Sequence, residues 1–208
     1  MQDNPRLGIA LMIATTVVFA VQDGISRYLA ENYNVITVVT IRYLFFMCFV
    51  LVYSSRQKGG IRHVASSGQL PLQIGRGLLL VAQICIAILS FSTVGLVNFH
   101  AVFASYPLMV MALSVPILGE TVGWRRWLAV CVGFCGVLLI LRPGTAMFSS
   151  ASILPVLAAF MMAVYGILTR YAARRDAAET SFFWTAMAGG IAMLCVGPFF
   201  WLPPVGSD

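Results

Sequence analysis

Charge is scarce in this sequence. Only 10% of its 208 residues are Asp, Glu, Lys or Arg, whereas 60% are hydrophobic and the mean hydropathy is +0.92. An ordinary soluble domain carries about 25% charged residues. A chain with so little charge and so much apolar surface is not expected to fold in water, so its composition excludes a soluble domain and predicts an all-α membrane protein that crosses the bilayer several times.

The side chains that usually carry enzyme chemistry are also few. The chain has two histidines, and it contains neither a His-x-x-x-His zinc motif nor a Gly-x-Ser-x-Gly nucleophile motif. Cys131 and Cys135 are one helical turn apart, but no His or carboxylate beside them completes a metal site. All five cysteines lie in apolar segments, which argues against a disulfide framework. We therefore expect no enzyme, no cofactor and no metal, and the +6 net charge does not by itself indicate nucleic acid.

What the chain does contain is a series of long apolar stretches. A membrane-spanning helix needs about 20 mostly apolar residues. Seven stretches satisfy this or come close, and Gly- and Pro-containing connections separate them. The seven predicted spans are Leu7–Ser26, Val35–Tyr53, Leu72–Phe91, Phe99–Leu118, Trp127–Leu141, Ile153–Thr169 and Phe182–Leu202.

The basic residues predict an orientation. With the N-terminus inside, ten of the thirteen Lys and Arg residues fall on the cytoplasmic side, as the positive-inside rule requires. Arg27 and Arg142 are then outside, Arg42 lies within the second span, and Arg76 is interpreted as a cytoplasmic anchor. Seven spans would place the C-terminus of this chain outside. We expect a multi-pass protein of the plasma (inner) membrane with a cytoplasmic N-terminus.

A set of motifs around the fourth and fifth spans resembles a known family. Pro107 is followed by Leu118-Gly119-Glu120 and then by the glycine-bearing segment Gly133–Leu141. Together with Arg42 and Gly77, this pattern resembles the EamA-type permeases of the drug/metabolite transporter superfamily. Glu120 is interpreted as an architectural residue, because a carboxylate favours the positive end of the helix that follows. The Arg142-Pro143-Gly144 turn is weakly similar to members that take up S-adenosylmethionine or riboflavin, and no assignment is based on it.

The resemblance implies an inverted-repeat bundle of ten spans, of which this sequence has about seven. Residues 1–144 are expected to form the first EamA repeat and residues 145–208 part of the second, with spans eight to ten absent. The expected function is a permease that moves a small organic metabolite, amino-acid-like or nucleotide-like, across the cytoplasmic membrane by alternating access. The alternative is a truncated membrane protein that does not transport, or a half-transporter that needs a partner chain. The expected partners are the lipid bilayer and a small solute, with a homodimer or a partner chain as a further option.

Polar residues within the spans are the natural candidates for a solute pathway, because exposing them to lipid costs free energy. Span one carries a helically spaced stripe that includes Phe19 and Gln22, and it indicates either a cavity wall or hydrogen bonding between helices. An inverted alignment places Tyr165 opposite Phe19. The candidate cavity residues are Phe19, Gln22, Asp23, Arg42, Gln83, Asn98, Ser105, Tyr106 and Tyr165. Pro107, Gly119 and Glu120 are the structural motif.

Two ionisable residues near the spans need a partner. Arg42 lies roughly 10 Å below the outer end of span two, so an ion pair or shared water network with Asp23 is one prediction, and extension of its side chain to the outer headgroups is the other. His100 is either a group that titrates near neutral pH or an interfacial hydrogen-bonding residue.

Overall fold

The described part of the chain is an all-helical membrane protein. The computed structural model describes residues 5–57, 59–119, 123–141, 151 and 153–200. Within these residues there is no β-strand. The helices are α1 (Pro5–Asn32), α2 (Val35–Ser55), α3 (Gly60–Ala65), α4 (Leu70–Val94), α5 (Leu96–Phe103), α6 (Tyr106–Leu118), α7 (Trp124–Leu141), α8 (Ile153–Ala172) and α9 (Ala178–Val196), followed by a 3-10 turn at Gly197–Phe200.

Six helical segments of this described part are long and apolar enough to cross a membrane. They are Gly8–Ala30, Val35–Ser55, Leu70–Val94, Leu96–Leu118, Ile153–Ala172 and Ala178–Phe200. The predicted fifth span coincides with α7, which has 18 residues. These helices establish the multi-pass membrane protein that the composition predicted.

The fourth span departs from the prediction of one continuous helix. The chain turns at Ala104 and Ser105, between α5 and α6, directly before Pro107. Proline has no backbone N–H to donate to the carbonyl four residues earlier and its ring crowds that carbonyl. The proline therefore stands in the first turn of a new helix, where its missing N–H carries no cost.

Local signals set the other helix ends. The side chain of Asn34 accepts a hydrogen bond from the Ile36 N–H at 2.9 Å and so caps α2. Gly119 ends α6 with a φ of 69°, a left-handed conformation that favours glycine. Glu120 and the Arg142-Pro143-Gly144 turn, which the sequence singled out, lie outside the described residues.

Helix α4 occupies the middle of the bundle, where it packs most extensively against α8 and α9. The largest apolar cluster is formed by residues of α2, α4, α5, α8 and α9, among them Val39, Tyr43, Ile88, Phe99 and Ala158. By contrast, α1 exposes nearly all of its apolar side chains. Many apolar side chains outside this cluster are thus exposed on the surface of the bundle, and several polar side chains are buried in it. This is expected of a protein whose solvent is lipid.

Glycine permits the closest helix contacts. A Cβ atom at Gly77 of α4 would lie 2.8 Å from the Cβ of Ala188 and 3.1 Å from the carbonyl oxygen of Trp184. On α9, Gly189 faces the ring of Tyr43 and Gly190 faces the side chain of Met47, with no room for a Cβ at either position. These small residues bring α2 and α4 directly onto α9.

Candidate functional site

A cavity of about 680 Å³ lies among α1, α2, α4, α8 and α9. This volume is in the range of pockets that hold small organic ligands. Its walls combine aromatic rings, hydroxyl groups and two guanidinium groups. The lining residues are Phe19, Gln22, Arg42, Tyr43, Phe46, Arg76, Leu80, Ile84, Tyr165, Thr169, Ala173, Ala178, Ser181, Phe182 and Thr185.

Arg42 reaches the cavity from α2 and meets Gln22 of α1. With the Gln22 amide turned so that its oxygen faces the guanidinium, this oxygen accepts hydrogen bonds from Arg42 Nη2 at 2.9 Å and Nη1 at 3.1 Å. Arg42 is half-buried. A neutral amide therefore holds the Arg42 side chain in place, and no carboxylate of the described residues lies within ion-pair distance of it.

The direct Asp23–Arg42 ion pair that the sequence suggested is not formed. The Asp23 carboxylate instead lies 3.2 Å from His100 Nε2, on α5. Gln22 and Asp23 are neighbours on α1, so their side chains diverge by about 100° around the helix axis, and only one of them can face α2. His100 has 46% of its side chain exposed and also contacts the ring of Phe91.

The interpretation of Arg76 as a cytoplasmic anchor is wrong. Arg76 is only 1% exposed, and its Nη1 donates to the Tyr165 hydroxyl at 3.2 Å and the Thr169 hydroxyl at 3.0 Å. Its Nη2 donates to Gln73 Oε1 at 2.8 Å, the Ser181 carbonyl at 2.6 Å and the Thr185 hydroxyl at 3.0 Å. Arg76 thus links α4 to α8 and α9 inside the bundle.

The sequence does carry a signal for this role of Arg76. Tyr165 and Thr169 are one turn apart on α8, and Ser181 and Thr185 are one turn apart on α9. Two such polar pairs in apolar helices favour a hydrogen bond between helices. Arg76, inside an otherwise apolar stretch, supplies it.

At one end of the cavity, Asp176 joins the α8–α9 connection to the α3–α4 connection by hydrogen bonds. It lies between α8 and α9, and its carboxylate accepts hydrogen bonds from Ser67 Oγ at 2.5 Å, Gln73 Nε2 at 2.8 Å and the Gly68 N–H at 3.0 Å. Desolvation opposes its ionisation, but these hydrogen bonds and the nearby charge of Arg76 outweigh that effect and lower the pKa of Asp176. Gln73 makes hydrogen bonds to both Asp176 and Arg76. The α8–α9 connection and the cavity wall therefore belong to one hydrogen-bond network.

Four of the nine candidate residues line the cavity: Phe19, Gln22, Arg42 and Tyr165. Asp23 stands next to it on α1. Gln83 is buried in α4 away from the cavity, and Asn98 is exposed and donates to the Val94 carbonyl at 3.0 Å. The remaining candidates lie around the α5–α6 break.

The candidate residues at the α5–α6 break lie outside the lining of this cavity. Ser105 is buried and donates to the Val102 carbonyl at 2.7 Å. Tyr106 and Pro107 line a second cavity of about 450 Å³ between α6, α7 and α8, together with Arg126 and Arg170. Neither Ser105 nor Tyr106 lines the 680 Å³ cavity. Their positions therefore do not support the solute role that the sequence predicted for them.

The described residues contain no group of three or more His, Cys, Asp or Glu side chains that could bind a metal ion. The described cysteines are all free thiols, and most are exposed on the outside of the bundle.

The helical bundle, with a cavity lined by apolar and aromatic side chains and two guanidinium groups, defines the class of polytopic membrane proteins. Comparison with known proteins narrows it: residues 6–142 match the model of the EamA-like transporter family. The chain belongs to this family, as its motifs predicted.

Curated relatives agree with this assignment. The chain is 27% identical over 201 residues to an S-adenosylmethionine uptake transporter of Rickettsia felis, covering 97% of this chain and 67% of that protein. It is 24% identical over 201 residues to the transporter of the same name in Rickettsia prowazekii, covering 95% and 66%. A riboflavin transporter of Vibrio cholerae is 28% identical over 180 residues, covering 85% and 60%.

The chain spans about two thirds of the length of these relatives, or somewhat less. No solved structure matches significantly. The family and these relatives are transporters rather than enzymes, and they imply a small-molecule solute and a membrane environment.

Proposed function

We propose that the protein is a permease that moves a small organic metabolite across the cytoplasmic membrane by alternating access, with the 680 Å³ cavity as its solute site. The observation that carries this proposal is a cavity with guanidinium and aromatic groups among the spans of a chain of the EamA-like family. Burying an arginine side chain in a membrane bundle is costly, and such residues usually mark a solute or ion pathway.

The cavity composition supports an amino-acid-like or nucleotide-like solute. Aromatic side chains from α1, α2, α8 and α9 offer flat apolar surfaces, which suit a planar ring. Hydroxyl groups and Gln22 offer hydrogen bonds to a polar portion. The relatives are named for S-adenosylmethionine uptake and for riboflavin transport, so these two compounds are the first solutes to test.

The proposed arrangement has the N-terminus in the cytoplasm, a first repeat over residues 1–144 and a partial second repeat over residues 145–208. In an inverted-repeat transporter the two repeats rock about a site near the middle of the membrane. The second candidate function is a membrane protein that transports only with a partner chain or a second copy, or does not transport.

Uptake by proteoliposomes that contain the full chain tests the proposal. Radiolabelled S-adenosylmethionine and riboflavin are supplied outside, and uptake is compared with vesicles that lack protein. Leu80 lines the cavity, whereas Leu78 on the same helix is 43% exposed toward the outside. Leu80→Trp is expected to reduce uptake about tenfold or more by filling the cavity, and Leu78→Trp is the matched control with unchanged uptake.

Two results would count against this function. Uptake that Leu80→Trp leaves intact would show that the solute does not use this cavity. No uptake of either compound, with correctly inserted protein, would favour the second candidate function, and co-expression with a candidate partner chain would follow.

A further inference from the structure

The two arginines of the cavity differ in how many of their N–H donors are already used. The Nη1 and Nη2 groups of Arg76 make five hydrogen bonds to protein acceptors, and its Nε is buried without a partner and out of reach. A guanidinium has five N–H donors, four of them on the Nη atoms. Arg76 therefore has no donor left to offer a solute unless its own network breaks.

Arg42 is in the opposite state. Among the described residues its hydrogen-bond acceptor is the Gln22 oxygen alone, which leaves at least three of its five N–H donors unused. The nearby carboxylate of Asp23 is directed to His100, and in this part of the chain no carboxylate lies within ion-pair distance of Arg42. The charge of Asp23 acts on Arg42 from a distance, but Asp23 makes no hydrogen bond to the guanidinium, so an incoming carboxylate would find its free donors.

The rings beside Arg42 define the rest of the solute. Tyr43 and Phe46 follow it on α2, with ring centroids 6.0 Å apart, and Phe46 lies edge-to-face with Phe182 at 5.2 Å. Phe19 completes this wall from α1. Aromatic side chains in this arrangement bind planar rings through stacking and edge contacts.

We propose that the solute is an organic anion in which a carboxylate adjoins a planar ring, with the carboxylate held bidentately by Arg42 and the ring held by the aromatic wall. This inference rests on the proposed function, since it assigns a solute class to the same cavity. The class excludes riboflavin, which has no carboxylate, so riboflavin uptake through this cavity would contradict it. One free guanidinium matches one carboxylate in charge and in its fork geometry. Arg76 is a positioning residue in this assignment, because it holds α4, α8 and α9 around the cavity and does not contact the solute.

A pair of probes that differ only in charge tests the assignment. Binding of radiolabelled 2-naphthylacetate and of its neutral amide, 2-naphthylacetamide, is measured on the full chain in nanodiscs. The wild-type protein is expected to bind the carboxylate about tenfold or more tightly than the amide, as charge-assisted hydrogen bonds are stronger than neutral ones. Arg42→Gln should remove this preference and leave amide binding unchanged.

Two further variants complete the design. Arg42→Lys should retain part of the preference, because it keeps the charge but loses the bidentate geometry. Phe19→Ala should weaken both probes by a similar factor. Arg62→Gln, at an exposed position of α3, is the control and should bind both probes like the wild type.

The outcomes separate this inference from the proposed function. If the amide binds and competes with solute uptake, but the wild type shows no carboxylate preference, the anion assignment is wrong while the cavity remains the solute site. A preference that persists in Arg42→Gln also overturns it. If neither probe binds the wild type, the anion assignment is wrong, and the uptake comparison of Leu80→Trp with Leu78→Trp decides the role of the cavity. The wild-type ratio decides the matter even if Arg42→Gln does not fold.

Discussion

At the residue scale, the charged side chains near the cavity differ in their hydrogen-bond partners. Arg76 and Asp176 share Gln73, which donates to the carboxylate and accepts from the guanidinium. Asp23 and His100 contact each other. Arg42 keeps unused donors beside the cavity. The charged side chains that face the interior thus have hydrogen-bond partners, since an unpaired charge is costly in a low-dielectric interior.

Asp176 makes the stability of this network depend on pH. Because folding lowers its pKa, the stabilisation from its ionised form is complete above the unfolded value of about 3.9 and is lost as the pH falls through the lower folded value. The unfolding midpoint of the wild-type protein in detergent should therefore fall between pH 5 and strongly acidic pH, about 2–3, by more than that of Asp176→Asn. Scanning fluorimetry at a series of pH values measures both.

Glu179→Gln is the control for Asp176, because Glu179 is an exposed acid in the first turn of α9. This variant should follow the wild-type pH profile. A wild-type profile that Asp176→Asn reproduces throughout would contradict a stabilising role for the ionised carboxylate.

The sequence identifies which residues line the cavity more readily than it identifies their hydrogen-bond partners. Phe19, Gln22, Arg42 and Tyr165 stand out as polar or aromatic residues within the spans, and they meet at one cavity. Arg76 resembles an anchor because other basic residues lie near it in the sequence. Charge counting records on which side of a span an arginine lies, but its partners on α8 and α9 depend on the packing of helices about 100 residues away in sequence.

At the scale of helices, hydropathy locates the spans and misses one interruption. The second span is predicted at Val35–Tyr53 and forms Val35–Ser55, since about 20 apolar residues leave little choice of position. The split of the fourth span into α5 and α6 is not predicted. Pro107 signals a kink or a break equally well, and the packing of neighbouring helices decides between them.

Close contacts between helices give a test at this scale. Gly77→Ala would place a methyl group against Ala188 and the Trp184 carbonyl, and such overpacking costs about 1–3 kcal/mol. The unfolding midpoint in detergent should fall accordingly. Gly75, on the same helix, has nothing within 4 Å of the position that an added methyl group would take, so Gly75→Ala should be neutral or stabilising by up to about 1 kcal/mol. Equal effects of the two substitutions would show that α4 and α9 are not in close contact.

At the scale of the whole molecule, the helices divide into a packed centre and a lightly packed margin. α4 packs extensively against α8 and α9, α2 packs against α9 and α6 against α8, whereas α1 and α7 have few contacts with other helices. The all-helical, multi-pass architecture follows from composition alone. Its arrangement into inverted repeats remains a prediction, because the sequence similarity between the two halves is slight.

The orientation in the membrane is a further prediction for the whole molecule. In a cysteine-free background, a membrane-impermeant maleimide should label Tyr33→Cys in intact cells and Arg62→Cys only after the membrane is permeabilised. Tyr33 lies in the exposed turn after α1, and Arg62 is exposed on α3, so both positions are accessible to the reagent. The reverse labelling pattern would place the N-terminus outside and contradict the positive-inside interpretation.

Gly190 of α9 faces the thioether of Met47, and a Cβ atom at this position would collide with the sulfur. Methionine sulfur is readily oxidised to the sulfoxide, which adds one polar oxygen at this point. The added oxygen would lie at the contact between α2 and α9, five residues from Arg42 along α2. Oxidation of this one sulfur would thus disturb the packing of these two helices, and methionine sulfoxide reductase activity would restore it.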